Sequence, residues 1–77
     1  MQSDHRRFYL QRNEDVTGIS GTGMVAEGVM WSDGVCAMRW VSDHRSTAIY
    51  HDLADILAIH GHDGSTKLIW IDFVNYD

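Results

Sequence analysis

The sequence predicts a mainly β protein with one short helix, folded as a small antiparallel barrel of the SH3-like type. An Asp-Gly pair lies between two apolar, β-prone runs, which is a strong signal for a hairpin. Further strand-like segments flank this hairpin, and one capped helical pattern precedes the last of them. The expected order is therefore β-β-β-β-α-β. An OB-like barrel is the alternative, although its helix usually comes one strand earlier.

The length of the chain limits it to one domain. A chain of 77 residues buries only about 60% of its unfolded surface. We expect a single domain over residues 1–77, with flexible ends at residues 1–5 and 75–77. A core this modest favours stabilisation by association, and a homodimer is one possible form. The chain has neither an apolar run that spans a membrane nor the apolar stretch of a signal peptide, so we expect a cytoplasmic protein.

The hairpin over residues 24–41 is the element that the sequence defines best. Asp33-Gly34 is expected to form a two-residue type I′ turn, because that turn needs positive φ at both central residues. Such a turn pairs Trp31 with Cys36 and places five residues on the expected core face: Val29, Trp31, Cys36, Met38 and Trp40. The opposite face then carries Ala26, Gly28, Met30, Ala37 and Arg39. A glycine at position 28 indicates strand curvature.

Two further strands and a loop surround this hairpin. Residues 6–12 alternate as a first strand, with Phe8 and Leu10 inward and Tyr9 outward. Residues 16–23 carry three glycines among Ser and Thr and are therefore expected to form a loop. A phosphate-binding loop is disfavoured, because the Gly-Lys-Ser/Thr ending is missing and a strand, not a helix, is expected to follow. Residues 47–50 are expected to form a short fourth strand.

The predicted helix covers residues 52–60. Asp52 is suited to cap it, and the core-facing side chains follow helical spacing: Leu53, Ile56 and Leu57. Gly61 is expected to end the helix as a C′ residue. The last strand, residues 67–74, is apolar on both faces. We place Ile69, Ile71 and Phe73 inward, which leaves Leu68 and Trp70 either outward or under the helix.

Charge is distributed unevenly along the chain, whose net charge is −5. Residues 1–13 contain three arginines and one aspartate, whereas the remainder contains ten acidic residues and three basic ones. An acidic body repels phosphate and attracts basic protein surfaces. The sequence therefore favours a protein, or a protein–nucleic-acid complex, with a basic surface as the partner. The alternative is a small nucleic-acid-binding barrel that uses Arg6, Arg7, Arg12 and Arg39.

No residue pattern in the chain completes a known catalytic or metal site. A cluster of histidines invites a zinc or nickel site, but structural zinc sites need four convergent ligands, usually with cysteines. The histidines and acid in question are His44, His51, His60, His62 and Asp63. The single cysteine is expected in the core, and the carboxylates fall at caps and turns. We therefore expect no enzyme activity, no cofactor and no bound metal.

The residues expected to contact a partner are mostly acidic. Their carboxylates can imitate phosphates in a groove built for nucleic acid, or they can serve only as a solvated surface. Trp70, Tyr9 and Tyr50 are the aromatic residues expected to be exposed, and aromatic residues are enriched in interfaces. The predicted partner-binding set is Glu14, Asp15, Asp43, Asp52, Asp55, Asp63 and Trp70.

Several short motifs together resemble small proteins encoded by bacteriophages and by actinobacterial genomes. The resemblance covers most of residues 8–72, and its motifs are Val16-Thr-Gly-Ile-Ser-Gly-Thr-Gly, Ala26-Glu-Gly, Ser32-Asp-Gly, Arg39-Trp, Ser46-Thr, His60-Gly-His and Trp70-Ile-Asp. It implies a phage setting, in which small acidic proteins often inhibit host machinery, anti-CRISPR proteins among them. The expected function is that of a non-enzymatic inhibitor of a host nucleic-acid-handling or defence complex.

Overall fold

The computed structural model describes residues 5–13, 23–42, 44–61 and 66–72. Five strands and one helix follow one another along the chain: β1 (Arg6–Arg12), β2 (Gly23–Met30), β3 (Cys36–Trp40), β4 (Thr47–Tyr50), α1 (Leu53–His60) and β5 (Thr66–Trp70). The expected flexible ends lie outside the described residues, apart from His5. So does the expected loop over residues 16–23, apart from its last glycine, which begins β2.

The five strands form one antiparallel sheet in the order β4-β3-β2-β1-β5. The expectation of a mainly β fold with a short helix is confirmed. The expected closure into a barrel is not observed, because the two edge strands, β4 and β5, are not paired with each other in the described part of the chain. The sheet therefore has two faces, and only one of them lies against α1.

The turn between β2 and β3 differs from the expected two-residue turn. The N–H of Trp31 donates to the carbonyl of Val35, and the N–H of Gly34 donates to the carbonyl of Trp31. Gly34 alone has positive φ in this turn, at 94°. This is the pattern of a three-residue loop, in which a type I turn is followed by a left-handed glycine. Met30 consequently pairs with Cys36, which shifts the register by one residue.

A shift of one residue moves one strand's side chains to the opposite face of the sheet. Val29 and Trp31 were expected in the core, but Val29 lies on the free face and Trp31 is 44% exposed. Ala26, Gly28 and Met30 were expected outside, but they lie opposite core residues of β3. The β3 side chains are as expected: Cys36 and Met38 are buried, Trp40 packs against the core, and Ala37 and Arg39 face away.

The core lies between the sheet and α1. Its buried apolar residues are Phe8, Leu10, Val25, Ala26, Cys36, Met38 and Ile56. Val25 and Ala26 are both buried because the register between β1 and β2 slips beside Leu10, which leaves Val25 without a partner in the pairing. The inward placement of Phe8 and Leu10 was predicted correctly.

Helix α1 begins as predicted, at an aspartate cap. The Oδ1 atom of Asp52 accepts the N–H of Asp55 at 2.9 Å. Ile56 is fully buried and Leu53 packs against the core, but Leu57 is 44% exposed, so its predicted core position is wrong. Gly61 ends the helix with right-handed φ and ψ, not with the left-handed conformation expected of a C′ glycine.

The side chains of β5 face the opposite sides of the sheet from those predicted for Ile69 and Ile71. Leu68 pairs with Leu10, and Trp70 pairs with Phe8, so these two side chains lie on the core face. Ile69 lies on the other face and Ile71 is 43% exposed. The alternative position of Leu68 and Trp70, on the helix side of the sheet, is therefore the observed one. Phe73 lies outside the described residues.

Candidate interaction surfaces

The solvent side of α1 is apolar except for one carboxylate. With about 100° between successive residues, the inward stripe of the helix is Leu53, Ile56 and His60. The remaining side chains cover the outside of the helix, and all of them are exposed: Ala54, Asp55, Leu57, Ala58 and Ile59. We call these five residues the outer α1 surface. A helix that is apolar all round is usually buried, so this one has an uncovered side.

Two of the acidic residues predicted to bind a partner are placed at the start of this helix. Asp52 is exposed and caps α1, and Asp55 is exposed in its first turn. One helical turn separates Asp55 from Ile59, so they lie along the same side of the helix. The other predicted acidic residues lie outside the described residues: Glu14, Asp15, Asp43 and Asp63. Of the predicted acidic residues that the structure describes, Asp52 and Asp55 therefore lie together at the start of α1.

Trp70 is less accessible than the sequence suggested. Its ring packs edge-on against Phe8 with centroids 5.8 Å apart, and the guanidinium of Arg6 lies 3.8 Å from the ring centroid. This stacking is a cation–π contact that covers one face of the indole. Tyr9 and Tyr50 are also half-buried. The most exposed aromatic residue among these and the other described tryptophans is Trp31, at 44%.

The four arginines of the alternative nucleic-acid interface do not form one surface. Arg12 is only 2% exposed, and its Nε donates to the hydroxyl of Thr66 at 3.0 Å. Arg6 stacks on Trp70. Arg7 forms a bidentate pair with the carboxylate of Asp72, at 2.8 and 2.9 Å. Arg39 alone of the four is exposed without an ion pair among the described residues. This arrangement does not favour phosphate binding.

The pair between Arg7 and Asp72 also fixes the end of β5 to β1. The backbone N–H of Arg7 donates to the same carboxylate at 2.9 Å. These hydrogen bonds, chiefly the one from the Arg7 side chain, hold the pKa of Asp72 well below its usual range. The same contact raises the pKa of Arg7.

His60 serves the packing of the helix on the sheet. Its Nε2 lies 3.0 Å from the hydroxyl of Tyr50, and its ring packs edge-on against Trp40 with centroids 4.8 Å apart.

His44 and His51 are exposed, whereas His62 and Asp63 lie outside the described residues. Within residues 5–13, 23–42, 44–61 and 66–72, no three His, Cys, Asp or Glu side chains are grouped as metal ligands.

Cys36 is fully buried and its thiol lies 3.4 Å from the carbonyl oxygen of Gly34. Burial raises the pKa of this thiol, and the carboxylate of Asp52 adds to the effect. The nucleophilic form of a cysteine is the thiolate, so this environment disfavours reactivity.

The face of the sheet that α1 does not cover is a second candidate surface, and no other described element packs on it. Its first row of paired residues is Ile49, Ala37, Val29 and Arg7, with Ile71 hydrogen-bonded beside Arg7. Its second row is Thr47, Arg39, Glu27, Tyr9 and Ile69. We call these two rows the free sheet face. A hollow of about 330 Å³ lies between them. This surface was not predicted from the sequence, because a two-residue turn would place the β2 side chains on the opposite sides of the sheet.

No helix in the described part of the chain is long and apolar enough to cross a membrane.

A family model described as Acb5 phage protein matches residues 5–72. No curated protein and no solved structure matches the chain. The matched range contains all five strands and the helix, and it confirms the part of the resemblance that pointed to a small phage protein family.

Proposed function

Since the chain belongs to the Acb5 phage protein family, we propose that it is a non-enzymatic binding module that contacts a protein of the bacterial host. The contact is made by the outer α1 surface. The observation that carries this proposal is the exposure of an almost entirely apolar helix side, with Leu57 at 44% and Ile59 at 59%. Proteins recognise such helices by laying them in an apolar groove.

Charge determines which groove fits this helix. Asp55 is the one charged residue of the outer α1 surface, Asp52 caps the same helix, and the whole chain has a net charge of −5. A groove lined by apolar residues and bordered by lysine or arginine is complementary to this arrangement. Basic borders of this kind are typical of proteins that handle nucleic acid. The finer form of the proposal is therefore inhibition of a host nucleic-acid-handling or defence complex, of the anti-CRISPR kind.

Affinity capture from host extract tests the proposal with matched variants. Ala58→Arg places a long cation at the centre of the outer α1 surface. Arginine is a good helix former, so the helix itself should be retained. We expect it to reduce capture of the host protein by roughly tenfold or more, as loss of a central contact does. Asp55→Lys should weaken capture most at low salt, because salt screens the lost attraction.

Gln11→Arg is the matched control, since it adds the same side chain to an exposed position of β1. It should capture the host protein as the wild type does. Equal capture by wild type and Ala58→Arg, at low and at high salt, would overturn the assignment of the contact to α1.

A further inference from the structure

The free sheet face combines a mostly apolar row, in which Arg7 is the one charged residue and is paired with Asp72, with a charged row. Ile49 is 67% exposed at the β4 edge and Ile71 is 43% exposed at the other end of the same row. Val29 and Ala37 lie half-buried between them. An apolar row is unusual on a sheet face that only water covers. Sheets with one face on the core normally present polar residues on the other face.

The charged row contains two neighbouring side chains of opposite sign. Glu27 and Arg39 are paired positions on β2 and β3, and both are exposed. The described residues provide no ion pair and no side-chain hydrogen bond for either. Both also border the hollow of about 330 Å³. An acid beside a base, neither of which has an ion-pair partner among the described residues, is complementary to a copy of itself turned by 180°.

We propose that the free sheet face is the interface of a symmetric homodimer. A twofold axis parallel to the strands, between β2 and β3, places each Glu27 opposite the partner's Arg39. The same rotation brings β4 over the partner's β1, because both strands lie one and a half strand spacings from the axis. The protruding Ile49 then covers the end of the partner's hollow that is lined by Arg7, Val29 and Ile71.

The dimensions of the sheet are suited to a small interface. The twofold axis overlaps four strands of each copy, β1 to β4, and leaves β5 outside the contact. Four strands spaced about 4.8 Å apart, each with about five residues rising about 3.3 Å, give a flat footprint of roughly 300 Å² per copy. By this measure two copies bury roughly 600 Å² in total, less than the about 1,200 Å² of stable specific interfaces. We therefore expect a weak dimer that is mostly dissociated at low-micromolar concentration and forms toward millimolar concentration. The outer α1 surface lies on the other side of the sheet and stays accessible in this dimer.

Sedimentation velocity from low-micromolar to millimolar concentration tests the dimer with charge exchanges. Glu27→Arg places two arginines opposite two arginines across the axis, and Arg39→Glu does the same with carboxylates. Each variant alone should raise the dissociation constant at least tenfold, because like charges meet in the interface. The double variant Glu27→Arg/Arg39→Glu restores opposite charges and should dimerise again. An equimolar mixture of the two single variants should form a heterodimer.

Lys67→Glu is the matched control for a changed charge, since Lys67 is exposed and pairs with Gln11, outside both rows. It should dimerise as the wild type does. A wild type that stays monomeric throughout the range would overturn the proposal, and so would single variants that associate as tightly as the wild type. The capture of a host protein by α1 does not depend on this result, so the two proposals fail separately.

Discussion

Single residues determine which side of the sheet becomes the core. Gly28 lies on the core face opposite Phe8 and Met38, and the ring of Phe8 packs directly over it. A Cβ atom at position 28 would lie 2.6 Å from the carbonyl oxygen of Ala37 and 2.6 Å from the Phe8 ring. The glycine is needed for this close approach, whereas the sequence had suggested only strand curvature.

Gly28→Ala is expected to destabilise the protein by about 1–3 kcal/mol, since a backbone oxygen must move to admit the methyl group. Urea unfolding measures this change in the free energy of unfolding. Ser32→Ala, in the exposed turn, is the control and should stay within about 0.5 kcal/mol of wild type. A Gly28→Ala variant as stable as the wild type would show that the Phe8 ring does not lie over position 28.

The carboxylate of Asp72 links stability to pH. Its pKa in the folded protein lies below the value of about 3.9 for an unfolded aspartate. Such a group stabilises the fold above the unfolded pKa, and the stabilisation is lost as pH falls toward the lower folded pKa. Wild type should therefore be more stable than Asp72→Asn at pH 7, and the difference should narrow as pH falls below about 4. Unfolding curves that stay equally far apart down to low pH would contradict this account.

At the scale of elements, the hairpin and the helix show what the sequence can predict. Alternation and turn residues located the hairpin, but Asp-Gly suits both a two-residue turn and the left-handed end of a three-residue loop. The choice depends on burial of β2 against β1 and α1, which is a tertiary effect. The apolar last strand was ambiguous for the same reason, because alternation is absent where both faces are apolar.

The helix cap was predictable because capping is local. Asp52 accepts the N–H of Asp55, so Asp52→Ala should destabilise the protein by about 0.5–2 kcal/mol, while Asp52→Ser should retain most of the stability. Thermal unfolding followed by circular dichroism compares the two variants. If both variants lose equal stability, the cap is not the source of the stabilisation.

The candidate surfaces were predicted only in part. Asp52 and Asp55 were predicted to lie at the start of the helix, where the structure places them, and their contact with a partner stays a prediction. The apolar composition of residues 53–60 carried a signal for the outer α1 surface, but Leu57 was predicted to lie in the core. The free sheet face was missed. Its key pair, Glu27 and Arg39, comes together only in the observed register, in which they are direct partners.

At the scale of the whole molecule, one sheet separates two surfaces. The helix packs on the face that carries Phe8, Leu10 and Met38, and the opposite face carries Val29, Ala37 and Ile49. An open sheet was not predictable from local patterns, because closure depends on whether β4 and β5 meet. Within residues 5–13, 23–42, 44–61 and 66–72, their separation leaves two sheet edges and one free face, and the dimer proposal depends on this arrangement.

Nuclear Overhauser contacts between side chains test this arrangement most directly. With α1 on the Phe8 side of the sheet, we expect contacts from the His60 ring to Trp40 and Tyr50, and from the Phe8 ring to the α-protons of Gly28. Contacts from any α1 side chain to the methyl groups of Val29 or Ala37 would place the helix on the other face of the sheet. That result would contradict the account, since the free sheet face and the outer α1 surface could not then both be open.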